Sequence, residues 1–258
     1  MSGVFNRVIP CLLLQDGGLV KTERFKKPKY VGDPINAIRI FNDKYVDELI
    51  FLDINASRLN KEPDYDLIAR IAGECFMPLC YGGGIKTLEQ ARKLVAIGVE
   101  KISINSMAIY DLELIKQLVS ELGSQSVVGA IDIKRNFWGK EYVYDASKSR
   151  LTNLNPQIHA QNLVDAGVGE IFINDVSRDG TFSGYNTALV SSIADKINVP
   201  LIVCGGASSI GDMQDVFMAG ASAAAAGSLF VFYGPHRAVL INYPDYSIVK
   251  KLFSSNAA

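Results

Sequence analysis

The stretch PLCYGGGI at residues 78–85 recurs at residues 200–207 as PLIVCGGA, 122 positions later. The same offset lays VDELIFLDIN (46–55) on VGEIFINDVS (168–177), with Glu48 on Glu170 and Asp53 on Asp175. It also lays Gly98 on Gly220, and Ile104-Asn105-Ser106 on Ala226-Gly227-Ser228. An offset held without a gap over roughly 60 residues marks two half-size copies of one unit, and two copies imply two related sites. At an offset of 119, Val8-Ile9-Pro10-Cys11-Leu12-Leu13 falls on Val127-Val128-Gly129-Ala130-Ile131-Asp132. Leu13 therefore stands where the second copy carries a carboxylate.

Short apolar runs recur outward from these repeats: Val8–Leu14, Glu48–Asp53, Leu79–Tyr81, Lys101–Ile104, Ser126–Asp132, Glu170–Asn174, Leu201–Cys204 and Ala223–Ala226. Amphipathic helical patterns lie between most of them, including Leu88–Ile97, Leu112–Leu122, Pro156–Ala166 and Ile210–Ala219. Pro156 suits a first helical turn, and Gly98, Gly123, Gly167 and Gly220 each follow a helix where a left-handed residue ends it. Strands this apolar, alternating with helices, predict a parallel sheet covered by helices. Eight such units in about 250 residues predict a closed (β/α)8 TIM barrel, with an open doubly wound sheet as the rival. The repeat favours closure, because each four-stranded half completes the other's edges. With no low-complexity linker, the reading is a single domain over 1–258, made of half-barrels at about 1–123 and 124–258. Two segments, Asp16–Pro34 and Lys134–Asn155, are expected as long loops on the catalytic face; the first carries Lys21, Arg24, Lys26, Lys27 and Lys29.

A hydrophobic content of 48%, a charged content of 21% and a net charge of −1 are those of a soluble globular protein. That balance offers no bulk attraction to nucleic acid or membrane. Cys11, Cys75, Cys80 and Cys204 lie in apolar runs, which predicts reduced, buried thiols, no metal cluster and a cytoplasmic protein. The apolar part of the start, Val8–Leu14, is too short to span a bilayer and lacks a cleavage-type ending.

Glycine-rich strand ends are the first candidate site. Gly82-Gly83-Gly84 and Asn105-Ser106 in the first half match Cys204-Gly205-Gly206-Ala207 and Ala226-Gly227-Ser228 in the second. Glycines let backbone N–H groups approach an anion, and Asn and Ser add donors. Two matched sets point to two phosphate sites across one mouth, with Asp179-Gly180-Thr181 adding a turn near the second. Asp132, ending the fifth strand, is placed for general acid–base work; an ion pair with Lys134 or Arg135 is the structural alternative. Cys11 reads as a buried filler rather than a nucleophile. Arg7, Glu48, Lys101 and Glu170 open strands one, two, four and six, where charges are costly unless paired. From spacing alone they read as a structural ion-pair cluster.

Taken together, RVIPC (7–11), Asp16-Gly17, FLDINAS (51–57), GGGI (82–85), KISIN (101–105), SQSVVGAID (124–132), RDGTFSGY (178–185), CGGA (204–207) and AAGS (225–228) resemble the cyclase subunit family of imidazole glycerol phosphate synthase. The resemblance runs from about Arg7 to Tyr233. It implies a barrel of two half-barrels acting in histidine biosynthesis, with no cofactor. A glutaminase subunit would dock at the barrel bottom, and ammonia would pass up the barrel to a bis-phosphate substrate. By the same resemblance, phosphate binding falls on Gly84, Asn105, Ser106, Asp179, Gly180, Gly206, Gly227 and Ser228. The second catalytic aspartate falls on Asp132, the loop lysine that closes over substrate on Lys21, and a charged ammonia gate on Arg7, Glu48, Lys101 and Glu170.

One departure bears on function. The family's first catalytic aspartate falls on Leu13, which cannot move a proton, and the lysine expected two residues later is Gln15. VIPCLLLQDGGLVKT and FKKPKYVGDPINAIRIFN resemble a divergent branch implicated, with a sugar amidotransferase, in adding acetamidino groups to surface-polysaccharide (lipopolysaccharide) sugars. The favoured expectation is therefore an ammonia-receiving subunit of a glutamine amidotransferase complex. The alternatives are a genuine cyclase/lyase making imidazole glycerol phosphate and aminoimidazole carboxamide ribotide, and a non-catalytic scaffold that activates the glutaminase.

Overall fold

The computed structural model describes residues 6–254; the ends of the expected domain, 1–5 and 255–258, lie outside the described residues. Eight parallel strands close on themselves: β1 (Arg7–Gln15), β2 (Leu49–Asp53), β3 (Leu79–Gly82), β4 (Lys101–Ile104), β5 (Val127–Arg135), β6 (Glu170–Asp175), β7 (Leu201–Cys204) and β8 (Ala223–Ala226). β1 pairs with both β8 and β2, and β5 pairs with both β4 and β6, so no barrel edge is open. This is the (β/α)8 barrel, and the open sheet is excluded. Helices cover the outside: α1 (Pro34–Asp43), α2 (Tyr65–Glu74), α3 (Leu88–Ala96), α4 (Leu112–Leu122), α5 (Pro156–Asp165), α6 (Thr187–Ala194), α7 (Ile210–Met218) and α8 (Tyr246–Ser254). Short helices follow β4 at Ser106–Tyr110 and β8 at Ser228–Val231, the same 122-residue offset again.

The strand pattern divides the core in two, because successive side chains point to opposite faces. Along β1, Val8, Leu12 and Leu14 join a large core with Phe41, Leu94, Leu118, Leu163 and Phe217 between sheet and helices. Ile9 and Cys11 instead join Ile50, Cys80, Val128, Ala130, Phe172, Ile202, Cys204, Ala223 and Ala225 inside the barrel. Helix starts are fixed locally. Asp33 caps α1 ahead of Pro34, Asn155 caps α5 ahead of Pro156, and Thr87 with Gln90 forms a capping box on α3.

Two expectations are corrected. The segment Asp16–Pro34 is not a loop but a β-hairpin, Gly18–Glu23 against Lys26–Gly32, with its first strand folding back antiparallel on β1. Leu19 and Val20 on its first strand and Val31 on its second are buried, which is why it pairs rather than floats. Within Lys134–Asn155, likewise, Glu141–Asp145 pairs back onto the end of β5. Of the four thiols, Cys75 is only half-buried.

His159 on α5 is buried, and its Nε2 has no hydrogen-bond partner. Burial pushes its pKa down from 6.5 to about 4. Because the folded state holds it neutral, its contribution to stability is complete above pH about 6.5 and is lost as pH falls toward 4. The stability gap between wild type and His159→Leu should therefore shift by about 3 kcal/mol against wild type between pH 7 and pH 4. Urea unfolding of both proteins at the two pH values checks this; a constant gap contradicts it.

Candidate active site

The barrel bottom is closed by four side chains. Arg7 contacts Glu48 Oε2 at 2.5 Å and also pairs with Glu170. Lys101 Nζ lies 2.9 Å from both Glu48 Oε2 and Glu170 Oε2. The four charges expected at the strand starts thus form a closed, alternating ring. Burial opposes the charge on Arg7 and Lys101, yet the two glutamates outweigh it and both cations lie above their ordinary pKa. For Glu48 burial outweighs its cationic partners and pushes its carboxyl up. Glu48 Oε1 has no partner.

Above the ring the interior is apolar, and it opens into a chamber of about 420 Å³ at the C-terminal strand ends. β1 and β5 lie four strands apart, so Leu13 and Asp132 line the chamber from opposite sides. Leu13 is in register with Leu52, and Asp132 with Asn174. One pair of strand ends thus carries two leucines and the facing pair an acid and an amide. Asn105 Nδ2 donates to Asp132 Oδ2 at 2.8 Å. The ion pair with Lys134 or Arg135 does not form; Arg135 pairs with Glu141 instead. Burial raises the Asp132 pKa to about 7; the Asn105 hydrogen bond draws it down, and Asp179 and Asp145 push it up. Cys11 is buried in the same interior, and contact with Cys204 together with burial holds its thiol well above the ordinary value. That suits a filler, not a nucleophile.

The hairpin lies across the mouth. Lys21 is buried, with Nζ 2.5 Å from Asp179 Oδ1, and Thr22 Oγ1 donates to Asp179 Oδ2 at 2.9 Å. The Arg24 N–H donates to the Asp179 carbonyl at 2.9 Å. Gly180 permits this docking: a Cβ there would sit 2.4 Å from the Thr22 carbonyl oxygen. At Gly227 a Cβ would come within 3.1 Å of Lys21 Cε.

The hairpin separates the expected phosphate residues. Gly84, Asn105 and Ser106 line the chamber together with Asp179 and Gly227. Gly180 and Ser228 instead line a second cleft, about 650 Å³, on the outer side of the hairpin. Gly206 lines neither; its carbonyl accepts from the Gly184 N–H at 2.9 Å. Some backbone donors are already engaged, as the Gly84 N–H donates to Ser57 Oγ at 3.2 Å.

Two features escaped sequence reasoning. Asn174 is buried with Oδ1 unpartnered and lines the chamber. It stands at the 122 offset from Leu52, so the repeat also marks it as a polar residue facing an apolar counterpart. The second is the contact of Tyr110 Oη with Asp145 Oδ2 at 2.5 Å, which ties the short helix after β4 to the strand Glu141–Asp145. Nothing in the spacing of those two residues announces it.

Residues 7–236 match the profile of a family described as histidine biosynthesis protein. The chain belongs to the histidine biosynthesis protein family. It is 62% identical over 243 residues to a Pseudomonas aeruginosa protein provisionally named imidazole glycerol phosphate synthase subunit hisF2, covering 94% of this chain and 97% of that one. It is 46% identical to a provisionally named subunit hisF3 of Vibrio vulnificus, over 95% of each chain. Identity to the imidazole glycerol phosphate synthase subunit HisF of Alkaliphilus metalliredigens is 39%, over 88% of this chain and 90% of that one. This histidine biosynthesis protein family member is thus similar along nearly its whole length to HisF-type cyclase subunits. Among its described residues no helix is long and apolar enough to cross a membrane.

The raised Asp132 pKa has a measurable consequence. A carboxyl held neutral by the fold contributes stability below its ordinary pKa of 3.8 that is lost as pH rises through about 7. Asp132→Asn should therefore gain on the order of 3 kcal/mol relative to wild type between pH 4 and pH 8. A carboxyl ¹³C titration of Asp132 should have its midpoint near 7; a midpoint near 4 contradicts the burial of its carboxyl.

Proposed function

We propose that the chain is a single-domain cyclase-like subunit of a glutamine amidotransferase complex, built from two fused half-barrels. A glutaminase subunit docks at the barrel bottom, and ammonia passes the ring and rises through the apolar interior to the chamber. The carrying observation is the geometry of that axis: a closed four-charge ring below, apolar side chains between, and one carboxyl near neutral pKa above. Neutral ammonia crosses such an interior far more readily than ammonium, whose charge the low dielectric penalises. Arg7, Glu48, Lys101 and Glu170 act as the gate.

Asp132 is the acid–base group at the exit, held by Asn105, and Lys21 closes the hairpin over the substrate. Gly84, Asn105 and Ser106 grip one phosphate; Asp179, Gly180, Gly206, Gly227 and Ser228 form the second grip, Gly206 indirectly through the turn it supports. The nitrogen goes to a phosphorylated small molecule, an activated sugar of a surface polysaccharide, with a sugar amidotransferase as further partner in the cytoplasm. Support for that acceptor is Leu13, which removes half of the acid–base pair that ring closure calls on. The numbered names hisF2 and hisF3 of two relatives accord with a copy set aside from the histidine pathway.

A second reading, imidazole glycerol phosphate formation itself, draws on the names of the relatives. The cost of a missing positioned acid–base group, on the order of a hundred-fold to ten-thousand-fold in rate, speaks against it. A bare scaffold is disfavoured by a built, half-dry chamber.

Isotope retention tests the ammonia route. With the glutaminase partner, the amidotransferase, amide-¹⁵N-glutamine and excess unlabelled ammonium, the amidino product should keep most of the ¹⁵N label. Lys101→Ala should dilute it toward the bulk ratio. Dilution already in wild type contradicts the route.

A further inference from the structure

We propose that the outer cleft beside the hairpin binds a diphosphate ester rather than a single phosphate. The inference shares Ser228 and Gly180 with the second phosphate grip above and rests on that reading for them alone. The cleft holds about 650 Å³, room for more than one phosphoryl group and part of what it carries. Its walls bear seven cations and one carboxylate, Glu23. Lys21 is neutralised by Asp179, and Arg237 lies 3.3 Å from Glu23. Arg24, Lys26, Lys27, Lys29 and Lys134 line the same cleft with no carboxylate partner among the described residues. Two of them are held in place by rings, Lys29 over Phe232 at 5.3 Å and Lys134 over Tyr144 at 4.6 Å.

Five unpaired cations around one concavity repel each other, and a cleft of one sign concentrates anions. A lone phosphate of about two negative charges leaves most of that repulsion in place; linked phosphates answer more of it and present more charge-assisted acceptors. A second observation points into the same space. Ser228 is 6% exposed and lines the cleft, yet its Oγ has no hydrogen-bond partner. A hydroxyl buried and unpaired there gains a partner when an anion enters. The basic run of the hairpin, which no step of ammonia transfer uses, thereby acquires a role: it grips the ligand from the outer side while Lys21 and Thr22 anchor the hairpin to Asp179.

Calorimetric titration of the full chain with orthophosphate, pyrophosphate, adenosine diphosphate and citrate, at matched ionic strength, tests this. Both diphosphates should bind at least about tenfold more tightly than orthophosphate. Lys26→Glu/Lys29→Glu, two exposed changes, should erase that advantage, and Ser228→Ala should weaken diphosphate and orthophosphate alike. Equal affinity for all three phosphates, citrate binding as tightly as pyrophosphate, or an advantage unchanged in the double variant overturns the proposal. The titration needs neither glutaminase nor ammonia. Its failure leaves the ammonia route standing, and diluted label in the isotope assay leaves the cleft standing.

Discussion

Two buried glutamates at the base of the barrel must each keep a cation. Glu48 and Glu170 share Arg7 and Lys101 in a closed ring. Removing one partner of such a buried set leaves a charge without compensation and costs about 3–5 kcal/mol. The ring fixes the starts of β1, β2, β4 and β6 at one level, and it draws its members from both halves of the repeat. Everything above inherits that register. Alternate residues of the same strands become the apolar lining of the barrel, and the last inward residue of each becomes the wall of the chamber.

At the chamber the two halves part company. Leu13 beside Leu52 faces Asp132 beside Asn174, so one pair of strand ends is apolar and the facing pair polar. Burial at the strand end raises the Asp132 pKa to about 7. A group poised near neutrality can take or give a single proton at working pH. The leucine opposite cannot itself move a proton. The hairpin adds a further division, holding Gly180 and Ser228 on its outer face and Asn105 and Asp132 on its inner one.

Much of this was legible in the chain. The 122-residue offset anticipates the matching strand ends and the matching short helices at Ser106 and Ser228. Apolar strands and following glycines place the elements to within a few residues. Spacing alone cannot tell a ring from a scatter of surface charges, because closure depends on where eight strands meet; the family resemblance, not periodicity, singled out the ring. The hairpin reads as a loop in the sequence because its lysine-rich second strand offers only Val31 as a buried apolar residue. The hydrogen bond from the Asn105 side chain to Asp132 has no local sequence signal, because it joins the ends of two neighbouring strands. Asn174 was overlooked although the repeat marks it, and Tyr110 with Asp145 is a meeting of two insertions that no local pattern encodes.

We propose that Leu13 decides what this barrel does with ammonia. It is tested most directly by supplying the purified chain with ammonium and the histidine-pathway bis-phosphate, and comparing wild type with Leu13→Asp in single-turnover experiments. The account predicts that Leu13→Asp forms imidazole glycerol phosphate at least about a hundred-fold faster than wild type, whose own rate stays near background. Robust turnover by wild type, unchanged or slowed by the added carboxylate, would contradict it.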